Sequence, residues 1–268
     1  AGPVTTSFPN VHLGFSQPER LGRRALQVIA AVARCLPQRA RLRTADAIVA
    51  RNLDMLAVAH AARTLVGARR TPLIYECLDI HDALTGAGRA SRAMRAAERW
   101  LLRRCALVAV SSPAFEAAYF RAVQAHPGPF ALWENRVVPT AALPPRPRVA
   151  ATAGDGPLRV GWVGSLRCAP SLDLLCRVAD ALGDRVAIRM HGRVHDHALP
   201  DFAARIAERP NIVHRGPYRY PQDLPEVYAD CDLVWAGELW QLGGNADWSL
   251  TNRLYEAGWC GCPPIGLS

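Results

Sequence analysis

No apolar run in this sequence approaches the length of a membrane-spanning helix. The longest apolar stretches are short and broken by arginine. A bundle of membrane helices is thereby excluded, leaving a soluble or surface-bound protein. No secretory leader is visible in a chain that begins at Ala1. No C-x-x-C pair occurs either. The cysteines at 35, 77, 105, 168, 176, 231, 260 and 262 sit mostly in apolar surroundings at unrelated spacings. They read as reduced, buried thiols of a cytoplasmic protein rather than as a disulfide frame. Two phosphate-cradling patterns are missing, G-x-x-x-x-G-K-[ST] and G-x-G-x-x-G. The G-W-V-G of residues 161–164 is too sparse to replace the second. Lysine is absent, so the net charge of +9 rests on arginine. Such basicity suits phosphorylated ligands, an anionic membrane surface or nucleic acid. Only charge speaks for nucleic acid, so it is not the expected partner.

What is present is enough for two domains: 268 residues, half of them hydrophobic. Short apolar runs at 45–50, 71–77, 106–110 and 130–133 alternate with helical patterns at about 20–35, 55–66, 91–104 and 114–123. That alternation predicts a doubly wound parallel sheet whose strands, 45–50 among them, are buried on both faces. The helix opened by Pro18-Glu19-Arg20 should bury Leu21, Ala25, Val28, Ile29 and Val32 and carry arginines on its flanks, as does 91–104. Either an ordinary solvated face or an anionic lipid surface accounts for such helices. Asn52, Asp79, His81, Ser111, Ser112 and Asn135 all fall just beyond strand ends, where ligands of such sheets bind. Residues 140–156, rich in Pro, Ala and Gly, read as a linker. A second series follows, with strands at 158–163, 186–190, 211–214 and 231–236 and helices at 171–182, 202–208 and 224–229. The expected organisation is a first Rossmann-like domain over 1–140, a linker over 141–157 and a second Rossmann-like domain over 158–268.

The second series leads into S-L-T-N-R-L-Y-E-A-G-W-C-G-C-P-P-I-G, residues 249–266. Ser249 or Thr251 can cap a helix here, Leu250, Leu254 and Ala257 or Gly258 form its inner stripe, and Glu256 lies on the flank. Gly258 and Gly261 end it, Pro263-Pro264 forbids its continuation, and a buried strand begins. A helix N-terminus facing a cleft is an anion site, which brings forward Asn252 and Arg253. Gly164, whose lack of a side chain admits a phosphate, and Arg167 follow the first strand of this domain. His191 and Gly192 end the next strand, and Gly243-Gly244-Asn245 precedes the motif. The set His191, His195, His197 and Asp196 lacks a further ligand group, so no metal is expected.

The run N-R-L-Y-E-A-G-x-x-G-x-P resembles the donor-binding motif of family-4 glycosyltransferases of the GT-B fold, and G-x-L-R of 164–167 resembles their phosphate loop. Y-E-C-L-D-I-H-D of 75–82 with S-S-P-A-F of 111–115 is similar to the glycosyltransferases of succinoglycan-type exopolysaccharide assembly. The resemblance implies two Rossmann-like domains facing across a cleft, here truncated at both ends. It implies transfer of a sugar from a nucleotide-diphosphate sugar to a lipid-linked saccharide acceptor, with retention, without a metal and with no cofactor beyond the donor. Glu256 would bind the ribose; Gly164, Arg167, His191, Gly192, Asn252 and Arg253 would hold the rest of the donor. Arg167 would stabilise the leaving diphosphate, and Asp79 and His81 would serve the acceptor, His81 by orienting or deprotonating a hydroxyl. The expected place is the cytoplasm, peripheral on the inner membrane face. The usual motif has a second glutamate eight places before the first named here; that position is Trp248, preceded by Asp247. A nucleotide-sugar-binding protein without transfer activity is therefore the alternative.

Overall fold

The computed structural model describes residues 10–14, 21–138, 143–145, 156–239 and 244–266. The chain divides into two compact units, Ala1–Trp133 and Glu134–Ser268. Most of the expected linker, the helix opening at 18–20 and Gly243 lie outside the described residues.

In the first unit four strands, β1 (Ile48–Arg51), β2 (Leu73–Cys77), β3 (Leu107–Val110) and β4 (Phe130–Leu132), pair in parallel in that order. The helices are α1 (Leu21–Cys35), α2 (Arg39–Thr44), α3 (Asn52–Leu65), α4 (Asp82–Thr85) and α5 (Arg89–Leu102). Parallel strands need such crossovers, and the β2 core residues Leu73, Tyr75 and Cys77 are sealed beneath them. Two expectations fail locally. Among the described strands β1 is an edge, and Val49 is half exposed rather than buried. On α1, Ala31 is buried while Ile29 faces solvent, because the helix packs on α3 through a stripe rotated from the one its apolar residues suggested.

Residues Phe115–Arg121 form a π-helix where an ordinary helix was expected. Wider winding lets Phe115, Tyr119 and Phe120 all point inward, and all three are fully buried. Tyr119 thereby reaches the buried carboxylate of Glu98, which also accepts from the Tyr75 hydroxyl (3.1 Å) and from Gln124 Nε2. The arginines of α5 are largely engaged by their own unit. Arg95 donates to the carbonyls of Leu84 and Gly86, Arg99 to those of Val123 and Gln124, and Arg92 to that of Ala87. Arg104 lies 3.5 Å over the Trp100 ring. These arginines tie down loops of their own unit while keeping their charge.

The second unit has β5 (Leu158–Val163), β6 (Val186–His191), β7 (Ile212–Gly216), β8 (Leu233–Trp235) and β9 (Pro264–Ile265), all parallel in the order β7-β6-β5-β8-β9. Successive residues of β5 enter opposite layers. Trp162 packs with Leu172, Leu175 and Phe202 under α6 (Ala169–Leu182) and α7 (Phe202–Ala207). Val163 packs with Leu224, Tyr228 and Ala257 under α8 (Leu224–Ala229) and α10 (Asn252–Cys260). The short α9 (Asn245–Trp248) precedes α10. The β9 residues are exposed rather than buried. The strand order runs one way from β5 to β7 and then returns beside β5 with β8. The carboxyl ends of β5 and β8 therefore flank a topological switch point, the place where α/β sheets bind ligands.

Candidate functional site

At the end of β5 the chain turns through Gly164, whose φ of +106° suits glycine. Gly164 N–H donates to the His191 carbonyl at 2.8 Å, and Leu166 N–H to that of Arg193 at 2.9 Å. The loops after β5 and β6 are thus zipped together. Gly192, at φ +138°, makes this possible: a Cβ there would lie 1.7 Å from the Gly164 carbonyl oxygen. The Gly164 backbone in turn lies against Arg253, since a Cβ on Gly164 would be 3.8 Å from the guanidinium Nε. The fold therefore brings Gly164, Gly192 and Arg253 to one place at the switch point.

Helix α10 is built differently from its sequence pattern. Its N-cap, Thr251, makes no side-chain cap, and its hydroxyl donates to the Ala236 carbonyl at 3.3 Å instead. The helix runs through Gly258 to Cys260 and stops at Gly261, which is left-handed at φ +72°. Its buried face is Arg253, Glu256, Ala257 and Cys260. Ala257 is buried as the expected stripe has it, but Leu254 is only half buried, and two charged side chains share the inner face because each has a partner inside. Arg253 donates to Glu238 Oε1 at 2.6 Å and, more weakly, to the Trp235 carbonyl at 3.4 Å. Glu256 accepts from the Tyr228 hydroxyl at 2.9 Å. Burial raises the Glu256 pKa; Tyr228 and Arg253 oppose that shift.

The other donor-side candidates are placed as follows. Arg167 is exposed on the β5 loop, beyond the zipped Leu166. Asn252 is exposed at the start of α10 and accepts from Asn135 at 3.1 Å, while Tyr255 donates to Glu134 at 3.1 Å. His191 points its ring into the unit, where Nε2 meets Asp230 at 3.1 Å beside Arg215 and Arg189. Burial lowers its pKa despite Asp230. Its side chain is thus turned to Asp230, and it serves the loop junction through its carbonyl. His195 and His197 stack edge to face at 5.7 Å. No group of three His, Cys, Asp or Glu among the described residues is placed to hold a metal.

Asp79 and His81 belong to the first unit, and both are exposed beyond β2. His81 caps α4, with Nδ1 accepting from Ala83 N–H at 3.1 Å. A neutral ring that accepts at Nδ1 carries its proton on Nε2. In this arrangement His81 can orient a hydroxyl by donating to it, but it has no free lone pair with which to deprotonate one. Ser111 and Ser112 likewise serve turns, one donating to the Leu78 carbonyl and the other accepting from Ala114 N–H.

The fold is that of the GT-B glycosyltransferases. The structure is similar to sucrose-phosphate synthase from Thermosynechococcus elongatus (TM-score 0.66, 15% identity), covering 94% of this chain and 62% of that one. It is also similar to Anabaena HepE in complex with UDP (TM-score 0.63, 19% identity), covering 93% of this chain and 65% of that one. In sequence the chain is 38% identical over 252 residues to the succinoglycan biosynthesis protein ExoL of Rhizobium meliloti (strain 1021). The match covers 91% of this chain and 62% of that protein, so the chain spans under two thirds of its relative's length. No protein-family model matches. Among the described residues no helix is long and apolar enough to cross a membrane.

Sequence reasoning missed Glu238, Tyr228 and Asp230. Glu238 was within reach: it closely follows the β8 strand, the same kind of position that drew attention to Asp79 and Asn135. Tyr228 and Asp230 gave no signal, since a tyrosine in a short amphipathic helix and an aspartate after it are ordinary.

Proposed function

We propose that this chain is the donor-binding and acceptor-binding core of a glycosyltransferase in exopolysaccharide assembly. It moves a sugar from a nucleotide-diphosphate sugar to a lipid-linked saccharide, with retention and with arginine rather than a metal answering the diphosphate. The observation that carries this reading is the burial of Arg253 and Glu256 on one face of α10 at the switch point. A buried carboxylate and guanidinium are costly for stability alone and suited to a ligand that offers hydroxyls and phosphates. In this reading Glu256 accepts from the ribose hydroxyls, and the Gly164 backbone admits the diphosphate. Arg253 and the exposed Arg167 stabilise the charge that grows as the bond between the anomeric carbon and the phosphate oxygen breaks. The likeness to ExoL supports exopolysaccharide assembly, and the HepE complexes put UDP-sugars first among donors to try. On the acceptor side, Asp79 and His81 orient the attacking hydroxyl. In this reading the reaction runs in the cytoplasm, with the protein peripheral on the inner membrane face.

The test is transfer by the protein from a panel of nucleotide sugars to lipid extracts. Glu256→Gln should weaken nucleoside-diphosphate binding tenfold to hundredfold. A hydrogen bond to a charged group contributes about 1.5–3 kcal/mol, and each 1.4 kcal/mol is about a factor of ten. Unchanged binding and transfer would remove Glu256 from the site. Protonation should act like the mutation. Because burial raises the Glu256 pKa, binding should weaken at a milder acidity than an ordinary glutamate would give. The Glu256→Gln variant should lose that step in a titration across pH.

A further inference from the structure

At the base of the first unit the amino ends of its strands meet. Ile48 N–H donates to the Pro72 carbonyl and Ala106 N–H to that of Leu73, so the turns before β1, β2 and β3 lie side by side. Residues 60–72 and 100–106, the ends of α3 and α5 with the turns after them, hold five arginines and no aspartate or glutamate. Among them is Trp100, 47% exposed. The Arg104 guanidinium lies 3.5 Å over its ring, fixed by a 2.5 Å bond from Nη1 to the Trp100 carbonyl. The His60 ring meets the indole edge to face at 5.0 Å. Arg63 is buried and donates from Nη1 to the Thr71 carbonyl at 2.8 Å. Its Nε, like His60 Nδ1, is buried with no partner among the described residues. Arg69, Arg70 and Arg103 are exposed and make no side-chain hydrogen bond or ion pair among the described residues.

The carbonyls they hold account for Arg63 and Arg104, but not for the three exposed arginines beside them. Nor is the charge answered from within. Burial lowers the His60 pKa, and Arg63, Arg104 and Arg69 lower it further, so every charge acting on that ring is positive. Arginines gathered without a counter-charge make a local positive potential that draws anions, and their planar forks match the oxygens of phosphate.

We propose that this cluster is a binding site for a phosphate-type anion, free or on a lipid headgroup, held by Arg63, Arg69 and Arg104 beside Trp100. It stands apart from the donor residues, which belong to the second unit, and from Asp79 and His81, which lie beyond the opposite, carboxyl end of β2. An anion bound here cancels the field that disfavours the His60 imidazolium. Binding therefore raises the His60 pKa, and by linkage the anion binds more tightly as the pH falls.

The experiment follows the His60 ring by NMR across pH, its resonance identified by its loss in His60→Gln. Titrations in sodium pyrophosphate are set against sodium chloride at the same ionic strength. Pyrophosphate should move the His60 midpoint upward, saturably, and Glu256→Gln should leave that response intact. Arg69→Gln removes an exposed side chain that bonds nothing around it, so folding is spared; it should weaken the response about tenfold or more, as should Arg104→Gln. Flotation with phosphatidylcholine vesicles, with and without phosphatidylglycerol, separates the two sources. Binding to the anionic vesicles that Arg69→Gln weakens more than Arg177→Gln, the same charge loss on α6, assigns a headgroup. No flotation with an intact pyrophosphate response assigns a free anion. A pyrophosphate response that survives both arginine substitutions would overturn the proposal. So would equal His60 midpoints in the two salts together with vesicle binding that is absent or indifferent to Arg69.

Discussion

Gly192→Ala is expected to destabilise the second unit by about 4 kcal/mol or more and to abolish nucleotide binding with it. Two costs add. The residue sits at φ +138°, where a side chain is strained, and such strain costs about 1–3 kcal/mol. The new methyl would also fall 1.7 Å from the Gly164 carbonyl oxygen and 2.8 Å from its carbon. Those are backbone atoms with no rotamer to change, and overpacking of this kind costs a further 1–3 kcal/mol, roughly, or more. The loops after β5 and β6 would have to part, breaking the Gly164 N–H bond to His191 and moving Gly164 off Arg253. Urea unfolding should show the loss as a lower midpoint at unchanged slope. The control is the same substitution at Gly258. There the chain is helical and a Cβ meets nothing within 4 Å, so alanine should stabilise by about 0.5–1 kcal/mol. Equal effects at the two positions would contradict the packing described.

Glu98→Ala should destabilise the first unit by about 3–5 kcal/mol. The carboxylate is fully buried and is the common acceptor for the Tyr75 and Tyr119 hydroxyls and the Gln124 amide. Removing it strands three buried neutral donors around a hole, and each buried donor left unsatisfied costs about 1–3 kcal/mol. Glu98→Gln keeps the volume and should cost only about 1–2 kcal/mol. It also isolates a pH effect. Burial raises the pKa of Glu98 in the folded state, against the three donors that lower it. A raised folded pKa means that the folded unit binds the proton more tightly than the unfolded chain does. The contribution is therefore full below the ordinary glutamate pKa and is lost as pH rises through the raised one. Stability of Glu98→Gln should lack that fall, and a parallel fall in both proteins would assign it to other groups.

These two positions also show what a sequence can disclose. The strands were readable because buried parallel strands must be short apolar runs, and each described strand overlaps a run where one was expected. The turn at Gly164 was readable because a glycine just past an apolar run marks a strand end, and Gly164 does turn the chain after β5 at φ +106°. The role of Gly192 as a close backbone contact was not, since nothing local says that the Gly164 carbonyl will sit where its Cβ would be. The helical stripe on α10 misled for a related reason. Arg253 and Glu256 look like surface residues by type, and Glu238 and Tyr228, fifteen and twenty-eight residues away, make their burial tolerable. His81 was legible as a polar strand end but not as a helix cap, because the proton position on its ring follows from one backbone amide, Ala83. Distant partners decide which charged residues turn inward, and those partners are what a linear pattern hides.

In the proposed function the second unit binds a nucleoside diphosphate between the Gly164 loop and α10. The most direct measurement is a calorimetric titration of nucleoside diphosphates, UDP first, into the protein and its Glu256→Gln variant near neutral pH. Saturable binding of one equivalent of at least one of them is expected, weakened tenfold or more in the variant. Absence of binding across the panel, or binding indifferent to Glu256, would contradict it.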